Sequence, residues 1–127
     1  MMGKLFLVGA GGFLGAVARY GLGGLVHRIF HGTFPLGTLV VNVSGCLAIG
    51  VLTTVLEERG ALGPNARLFL MIGILGGFTT FSSFGYETLA LARHDSPALA
   101  LGNVASNVLL GLAAVWLGWA VTRTLLG

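Results

Sequence analysis

Four long apolar runs dominate the sequence, and each is long enough to cross a membrane as a helix. They cover about residues 5–26, 37–56, 68–92 and 98–121. A helix needs about 20 apolar residues to span the hydrocarbon core of a bilayer. The segments between the runs are too short to hold a soluble domain. We therefore predict an all-α membrane protein in which residues 1–127 form a single four-helix transmembrane unit.

Proline, glycine and serine residues mark the ends of these predicted helices. Pro35 stands just before the second run, and Ser96 and Pro97 stand just before the fourth. A serine hydroxyl caps a helix N-terminus, and proline is tolerated in the first turn. Gly60 and Pro64 indicate a turn between the second and third helices.

The third apolar run carries an interruption in its middle. Residues Gly73 to Glu87 read GILGGFTTFSSFGYE, in which adjacent glycines precede hydroxyl and aromatic residues. Glycine weakens a helix, and hydroxyl side chains can bond to backbone groups that a break exposes. A bilayer tolerates such a break only where protein or a watery cavity covers it. We predict that the third helix is broken mid-membrane for a functional reason.

The composition excludes most soluble classes and most enzymes. Hydrophobic residues make up 55% of the chain and charged residues 9%, with a mean hydropathy of +0.93. Soluble domains carry about a quarter charged residues. The motifs HExxH, GxSxG, CxxC and the Walker loop are absent, so we expect no enzyme activity. His27, His31 and His94 are predicted in connecting segments, without the spacing of a metal site.

The first run could also be interpreted as a signal peptide. Lys4 precedes it, and Ala16-Val17-Ala18 resembles a cleavage site. Because removal of this run would leave an odd number of spans, we expect it to be retained as the first helix.

Basic residues are distributed almost evenly between the two predicted membrane faces. One face has Lys4, Arg59, Arg67 and Arg123, and the other has Arg28 and Arg93, with Arg19 inside the first helix. A clear excess of Lys and Arg on one side fixes the orientation of a membrane protein. Because the excess is weak here, we expect insertion in both orientations, which permits an antiparallel homodimer. Transporters build a comparable inverted arrangement from internal repeats.

Two ridges of small residues are candidates for close helix packing. Gly11 and Gly15 form one GxxxG pair, and Gly73 and Gly77 form another. Such ridges let helix backbones approach closely in lipid. The sequence leaves open whether the ridges pack within one chain or between two.

Uncharged polar side chains form a further pattern within the apolar runs. Asn103 and Asn107 share one face of the fourth helix, and Asn42 lies in the first turns of the second. Phe81 and Phe84 are three residues apart, so their electropositive ring edges can face one path. Neutral amide and hydroxyl donors can replace the water around a small anion without holding it too tightly. Taken singly, these residues indicate packing between helices; together they favour an anion pore.

Two ionisable residues lie within the predicted spans. Arg19 either extends to an interface or supplies positive potential to a vestibule for anions. Glu87 follows the predicted break, where its carboxylate can bond to hydroxyl groups, lie near an interface or take part in proton coupling.

Four sequence blocks together resemble the Fluc/CrcB family of fluoride channels. They are GGFLGAVARYGLG in the first helix, GTLVVNVSGCLAIG in the second, GGFTTFSSFGYE in the third and GNVASNVLLG in the fourth. Their order and spacing cover nearly the whole chain. The resemblance implies a dual-topology homodimer with two antiparallel pores in the cell (inner) membrane. It also implies passive fluoride export that protects the cell from fluoride.

The resemblance further implies roles for individual residues. Backbone carbonyls of Gly76 and Thr79 match those that hold a structural sodium ion (Na⁺) at the dimer centre. The residues that match the fluoride path or its surroundings are Asn42, Phe81, Ser83 and Phe84, with Arg19 near a vestibule and Glu87 after the break. The fourth-helix track departs from many relatives, because Asn103, Asn107 and the bare Gly111 occupy positions that often carry hydroxyls. Cys46 stands where a larger apolar residue is expected.

Two other classes remain as alternatives. A small dual-topology drug/proton antiporter needs a carboxylate inside the membrane, for which Glu87 is the only candidate in any span. A structural membrane subunit without transport activity has little reason to retain several uncharged polar stripes.

Overall fold

The computed structural model describes all 127 residues, and every regular element is helical. Helix α1 is Met2–Ile29, α2 is Leu36–Glu58, α3 covers residues 64–78, α4 covers residues 81–95, and α5 is Pro97–Leu126. Thr79 and Thr80, between α3 and α4, have extended backbone torsion angles. Four segments are long and apolar enough to cross a membrane, with α3 and α4 together forming the third, Pro64–Asp95. The four predicted spanning helices are therefore confirmed.

The helices extend beyond the apolar runs at most of their ends. The reason is that hydropathy marks the part suited to hydrocarbon, whereas a helix can continue among polar residues at an interface. His27 consequently lies in the last turn of α1 and His94 in the last turn of α4. The prediction that both lie in connecting segments was wrong, and it holds only for His31.

The residues predicted at the helix ends are confirmed in those positions. The Ser96 hydroxyl accepts a hydrogen bond from Leu99 N–H at 3.2 Å, and Pro97 occupies the first position of α5. Helix α2 begins directly after Pro35. In the turn between α2 and α3, Gly60 has a φ of 58°, a conformation that favours glycine.

Helices α1 and α3 pack through the predicted glycine ridges. A Cβ atom built on Gly73 would lie 2.9 Å from the Cα of Gly11, and one built on Gly77 would lie 3.0 Å from the Cα of Gly12. The Gly15 backbone is equally close to Ile74. These ridges therefore pack within the chain, where only glycine leaves room for the neighbouring backbone.

Helices α2 and α5 form a second closely packed pair. A Cβ atom on Gly50 would lie 2.9 Å from Trp119 N, and one on Gly118 would lie 3.1 Å from Val51 N. Beside this contact, Thr54 is fully buried and its hydroxyl donates to the Trp119 carbonyl at 3.4 Å.

Large apolar side chains cover the outside of the bundle. Only 19 of the 127 residues are buried, whereas Phe6, Phe13, Leu109 and Leu112 are among the exposed ones. Such a surface would cause aggregation in water, but it matches the acyl chains of a bilayer.

Candidate functional site

The extended residues Thr79 and Thr80 interrupt the helical hydrogen-bond pattern. Thr79 has φ −80° and ψ 155°, and Thr80 has φ −147° and ψ 114°. A helix end leaves backbone N–H and C=O groups without helical partners. On the α4 side the Thr80 hydroxyl serves as the N-cap, because it accepts a hydrogen bond from Ser83 N–H at 3.1 Å. On the α3 side, Thr79 N–H and its hydroxyl both donate to the Leu75 carbonyl at 3.0 Å.

Asn42 satisfies the backbone of Thr80 from the neighbouring helix α2. Its Oδ1 accepts from Thr80 N–H at 2.8 Å, and its Nδ2 donates to Thr80 O at 3.0 Å. This two-point pairing supplies the partners that a helical turn would otherwise provide. Asn42 therefore holds the interruption in place. It also lines a cavity that contains Phe81 and Phe84.

A continuous line of uncharged polar groups connects α2, α5 and α4. Asn42 Nδ2 also donates to Asn107 Oδ1 at 3.4 Å, and Asn107 Nδ2 donates to Asn103 O at 2.9 Å and Oδ1 at 3.0 Å. Asn103, only 1% exposed, donates to Thr88 Oγ1 at 2.9 Å. The Thr88 hydroxyl donates in turn to the Phe84 carbonyl at 2.8 Å. We call Asn42, Asn107, Asn103 and Thr88 the amide line.

Phe81 and Phe84 lie beside the amide line in what we call the ring cavity. This cavity measures about 390 Å³, and its lining includes both rings, Asn42, Asn107, Gly76 and Thr79. The ring centroids are 5.5 Å apart, with an angle of 56° between their planes. Phe84 is buried, whereas Phe81 is 84% exposed in the single chain. The structure thus brings six of the predicted site residues together around this cavity.

A second and larger cavity, the basic cavity, lies between α1 and α2. It measures about 760 Å³, and its charged lining consists of Arg19 and Arg28, with the titratable His27. Thr80 and Ser83 belong to its wall, and Thr80 also lines the ring cavity. The interruption in the third span is therefore the shared wall of the two cavities. Ser83, expected beside the rings, faces the basic cavity.

Arg19 links the basic cavity to the interruption. Its Nε donates to the Gly77 carbonyl at 3.2 Å, which is its single hydrogen bond within the chain. The two terminal nitrogens of the guanidinium group are therefore available to an anion. This geometry places the Arg19 guanidinium group between the interruption and the basic cavity.

Glu87 lies on α4, where its Oε1 accepts a hydrogen bond from the Thr38 hydroxyl at 2.7 Å. Its Oε2 is buried and has no hydrogen-bond partner in the chain. Thr38 and Thr88 were not singled out from the sequence. The signal in the sequence was their spacing. Thr38 is four residues before Asn42 and Thr88 is four after Phe84, so each shares a helix face with a predicted site residue.

The backbone at Gly76 and Thr79 fits a site for a cation held by carbonyl oxygens. Both residues line the ring cavity. A Cβ atom on Gly76 would meet only the Met71 carbonyl, at 4.0 Å, so its backbone lies on an open face. The extended torsion angles of Thr79 take its carbonyl out of the helical pattern. Hard cations prefer such oxygen ligands.

The fold and these cavities define a small polytopic membrane protein with a neutral polar line through an otherwise apolar bundle. Comparison with known sequences identifies the family within this class. The family described as CrcB-like protein, Camphor Resistance (CrcB) matches residues 6–119. The chain belongs to this family, so the resemblance found in its sequence blocks is confirmed.

Many curated relatives share almost the full length of the chain. The fluoride-specific ion channel FluC of Nitratidesulfovibrio vulgaris is 47% identical over 122 residues, which cover 96% of this chain and 98% of the relative. The protein of the same name from Solibacter usitatus is 48% identical over 120 residues, covering 94% and 98%. The one from Thermus thermophilus is 47% identical over 126 residues, covering 99% and 100%.

Proposed function

We propose that the chain is a subunit of a fluoride-selective channel that lets fluoride leave the cell passively. The observation that carries this proposal is the uncharged amide line beside the two phenylalanine rings, next to a cavity whose charges are basic. The names of the full-length relatives supply the identity of the anion. Protection of the cell from fluoride follows, because the inside-negative potential drives the anion outward.

In the proposed mechanism the two cavities have different tasks. The basic cavity attracts the anion, and the ring cavity removes its water. Arg19 and Arg28 attract fluoride into the basic cavity. Beyond Thr80, the edges of the Phe81 and Phe84 rings replace the hydration shell, together with amide N–H groups that exchange an acceptor in the chain for the anion. Because none of these groups carries a charge, the anion is bound weakly enough to move on.

We further propose that two copies assemble as an antiparallel homodimer in the cell (inner) membrane, with the interruption at mid-membrane. The nearly even distribution of Lys and Arg supports insertion in both orientations. Phe81 and the open backbone of Gly76 are exposed on the single chain and suit a surface that a second copy covers. Tags on the N-terminus should be accessible from both sides of the membrane, and labelling from one side only would contradict the proposal.

The carbonyls of Gly76 and Thr79 are proposed to hold a structural Na⁺ at the centre of this dimer. Two carbonyls from each chain would give four oxygen ligands around the twofold axis, a donor set suited to a hard cation. The ion would stabilise the assembly without being transported.

Fluoride efflux from proteoliposomes tests the channel proposal. Efflux should follow an imposed potassium diffusion potential and exceed chloride efflux by a large factor. Phe81→Ile should lower the flux while leaving the dimer intact by size-exclusion chromatography, because it removes a polarised ring edge and keeps apolar bulk. Equal chloride flux would contradict selectivity. Efflux that requires a proton gradient would favour the antiporter instead.

A further inference from the structure

The basic cavity contains a histidine that the proposed mechanism does not use. His27 lies in the last turn of α1, where it lines this cavity with Arg19 and Arg28. No Asp or Glu residue lines the cavity. His31 and His94 line neither cavity, so His27 differs from the other two histidines in its position.

The His27 ring lies against the first turn of α2. A Cβ atom on Gly37 would lie 2.8 Å from His27 Nε2 and 3.1 Å from Cδ2, so the imidazole is in close contact with the start of α2. Neither ring nitrogen has a hydrogen-bond partner within the chain. The ring therefore lies beside the Gly37 backbone, in the lining of the basic cavity.

The charged groups around His27 come from two helices. Its own helix α1 supplies Arg19 and Arg28, together with the titratable Tyr20 in the cavity wall. Helix α2 contributes no titratable group there, since Gly37 and Thr38 are uncharged. Helix α4 contributes Glu87, whose carboxylate attracts the imidazole electrostatically and accepts a hydrogen bond from the Thr38 hydroxyl.

We propose that His27 is an anion-attracting residue of the basic cavity whose protonation increases fluoride entry as the pH falls from 8 to 5.5. Histidine is the side chain whose charge ordinarily changes in this range. A third positive charge in a cavity that already contains two arginines raises the local concentration of anions. This inference rests on the proposed channel function and adds to it a dependence on pH.

Current through planar bilayers, with the same pH and fluoride concentration on both sides, tests the inference. Current is the suitable measure because neutral hydrogen fluoride crosses lipid without carrying charge. At a fixed voltage, the wild-type current should rise about two- to five-fold between pH 8 and pH 5.5. His27→Gln should abolish this rise, and His27→Lys should give a high current already at pH 8.

His31→Gln is the matched control and should retain the wild-type pH profile. A rise that persists in His27→Gln would assign the effect to another group, such as Glu87, and overturn the inference. A wild-type fluoride current that does not change with pH would overturn it as well. Absence of fluoride current at every pH would instead overturn the channel function on which the inference rests. Each variant is first checked for a single size-exclusion peak, so that misfolding is not mistaken for a change in conduction.

Discussion

The two cavities that meet at Thr80 differ in the kind of polarity that they offer. The basic cavity is about 760 Å³ in volume and its charged groups are Arg19 and Arg28. The ring cavity is about 390 Å³ in volume and contains aromatic rings and neutral amides, with no charged side chain. A strong field acts at a distance and gathers ions, whereas neutral donors act only on contact.

This difference separates two requirements that conflict within a single site. Full charges in a narrow dehydrated path would bind a small anion tightly and prevent its release. The neutral amide line avoids such tight binding, and the guanidinium groups lie in the larger cavity. If this division is correct, a negative charge should do most harm in the ring cavity, and loss of a positive charge should act more mildly in the basic cavity.

The largest effect is expected from Asn107→Asp, which puts a carboxylate into the amide line at almost unchanged volume. At pH 8 the ionised carboxylate repels fluoride in a site of low dielectric, where a few kcal/mol of repulsion is readily reached. Fluoride efflux from proteoliposomes should fall by about 100-fold or more.

Asn107→Ser is the matched control, because it retains a neutral donor at the same position. Its efflux should stay much closer to that of the wild type than the efflux of the aspartate variant does. Equal losses in the two variants would mean that the amide N–H group, which both variants lack, and not the negative charge, decides the flux at Asn107.

The helices could be predicted from the sequence because each depends mainly on its own residues. Twenty apolar residues between breakers identify a span, and Ser96 with Pro97 specifies the start of α5. The glycine ridges were visible as well, but not their partners. Contact of Gly11 with Gly73 depends on how α1 and α3 meet, which spacing within one helix does not contain.

The site was predictable in its residue types and less so in its connections. The relation of Asn103 to Asn107 follows from helical spacing, and their hydrogen bond is observed. The pairing of Asn42 with the Thr80 backbone joins residues 38 positions apart, so no local sequence pattern predicts it. Of the basic cavity, only Arg19 was predicted, at a vestibule for anions; its other lining residues were not assigned to it, because the cavity exists only between two packed helices.

A smaller effect on flux is expected from Asn42→Ala, which tests the wall between the two cavities. The substitution leaves the N–H and C=O groups of Thr80 without their partners, at a cost of about 1–3 kcal/mol for each group. The free energy of unfolding should drop by about 2–6 kcal/mol, and fluoride efflux should fall by about 10-fold or more. Unfolding in detergent measures the first quantity and proteoliposome efflux the second.

Asn65→Ala is the control for this experiment. Asn65 is exposed in the first turn of α3 and lines neither cavity, so both quantities should stay near the wild-type values. If Asn42→Ala were as stable as the wild type, the pairing with Thr80 would not be what holds the interruption.

The smallest of these effects is expected from Arg19→Gln, which removes a positive charge from the basic cavity. At low ionic strength fluoride efflux should fall by about three- to ten-fold, because a charge in a cleft raises the local concentration of anions. The difference from the wild type should shrink when an impermeant salt is added, since the Debye length falls from about 30 Å at 0.01 M to about 3 Å at 1 M.

Salt dependence separates the electrostatic role of Arg19 from its hydrogen bond to the Gly77 carbonyl. Loss of that hydrogen bond would alter the wall between the cavities at every salt concentration. The effect of losing the positive charge, by contrast, should disappear when salt screens the attraction between Arg19 and fluoride. Arg93→Gln is the matched control, because Arg93 is exposed at the end of α4 and lines neither cavity. A loss in Arg19→Gln that salt leaves unchanged would make this residue part of the wall. The difference between the cavities would then be one of shape and not of charge.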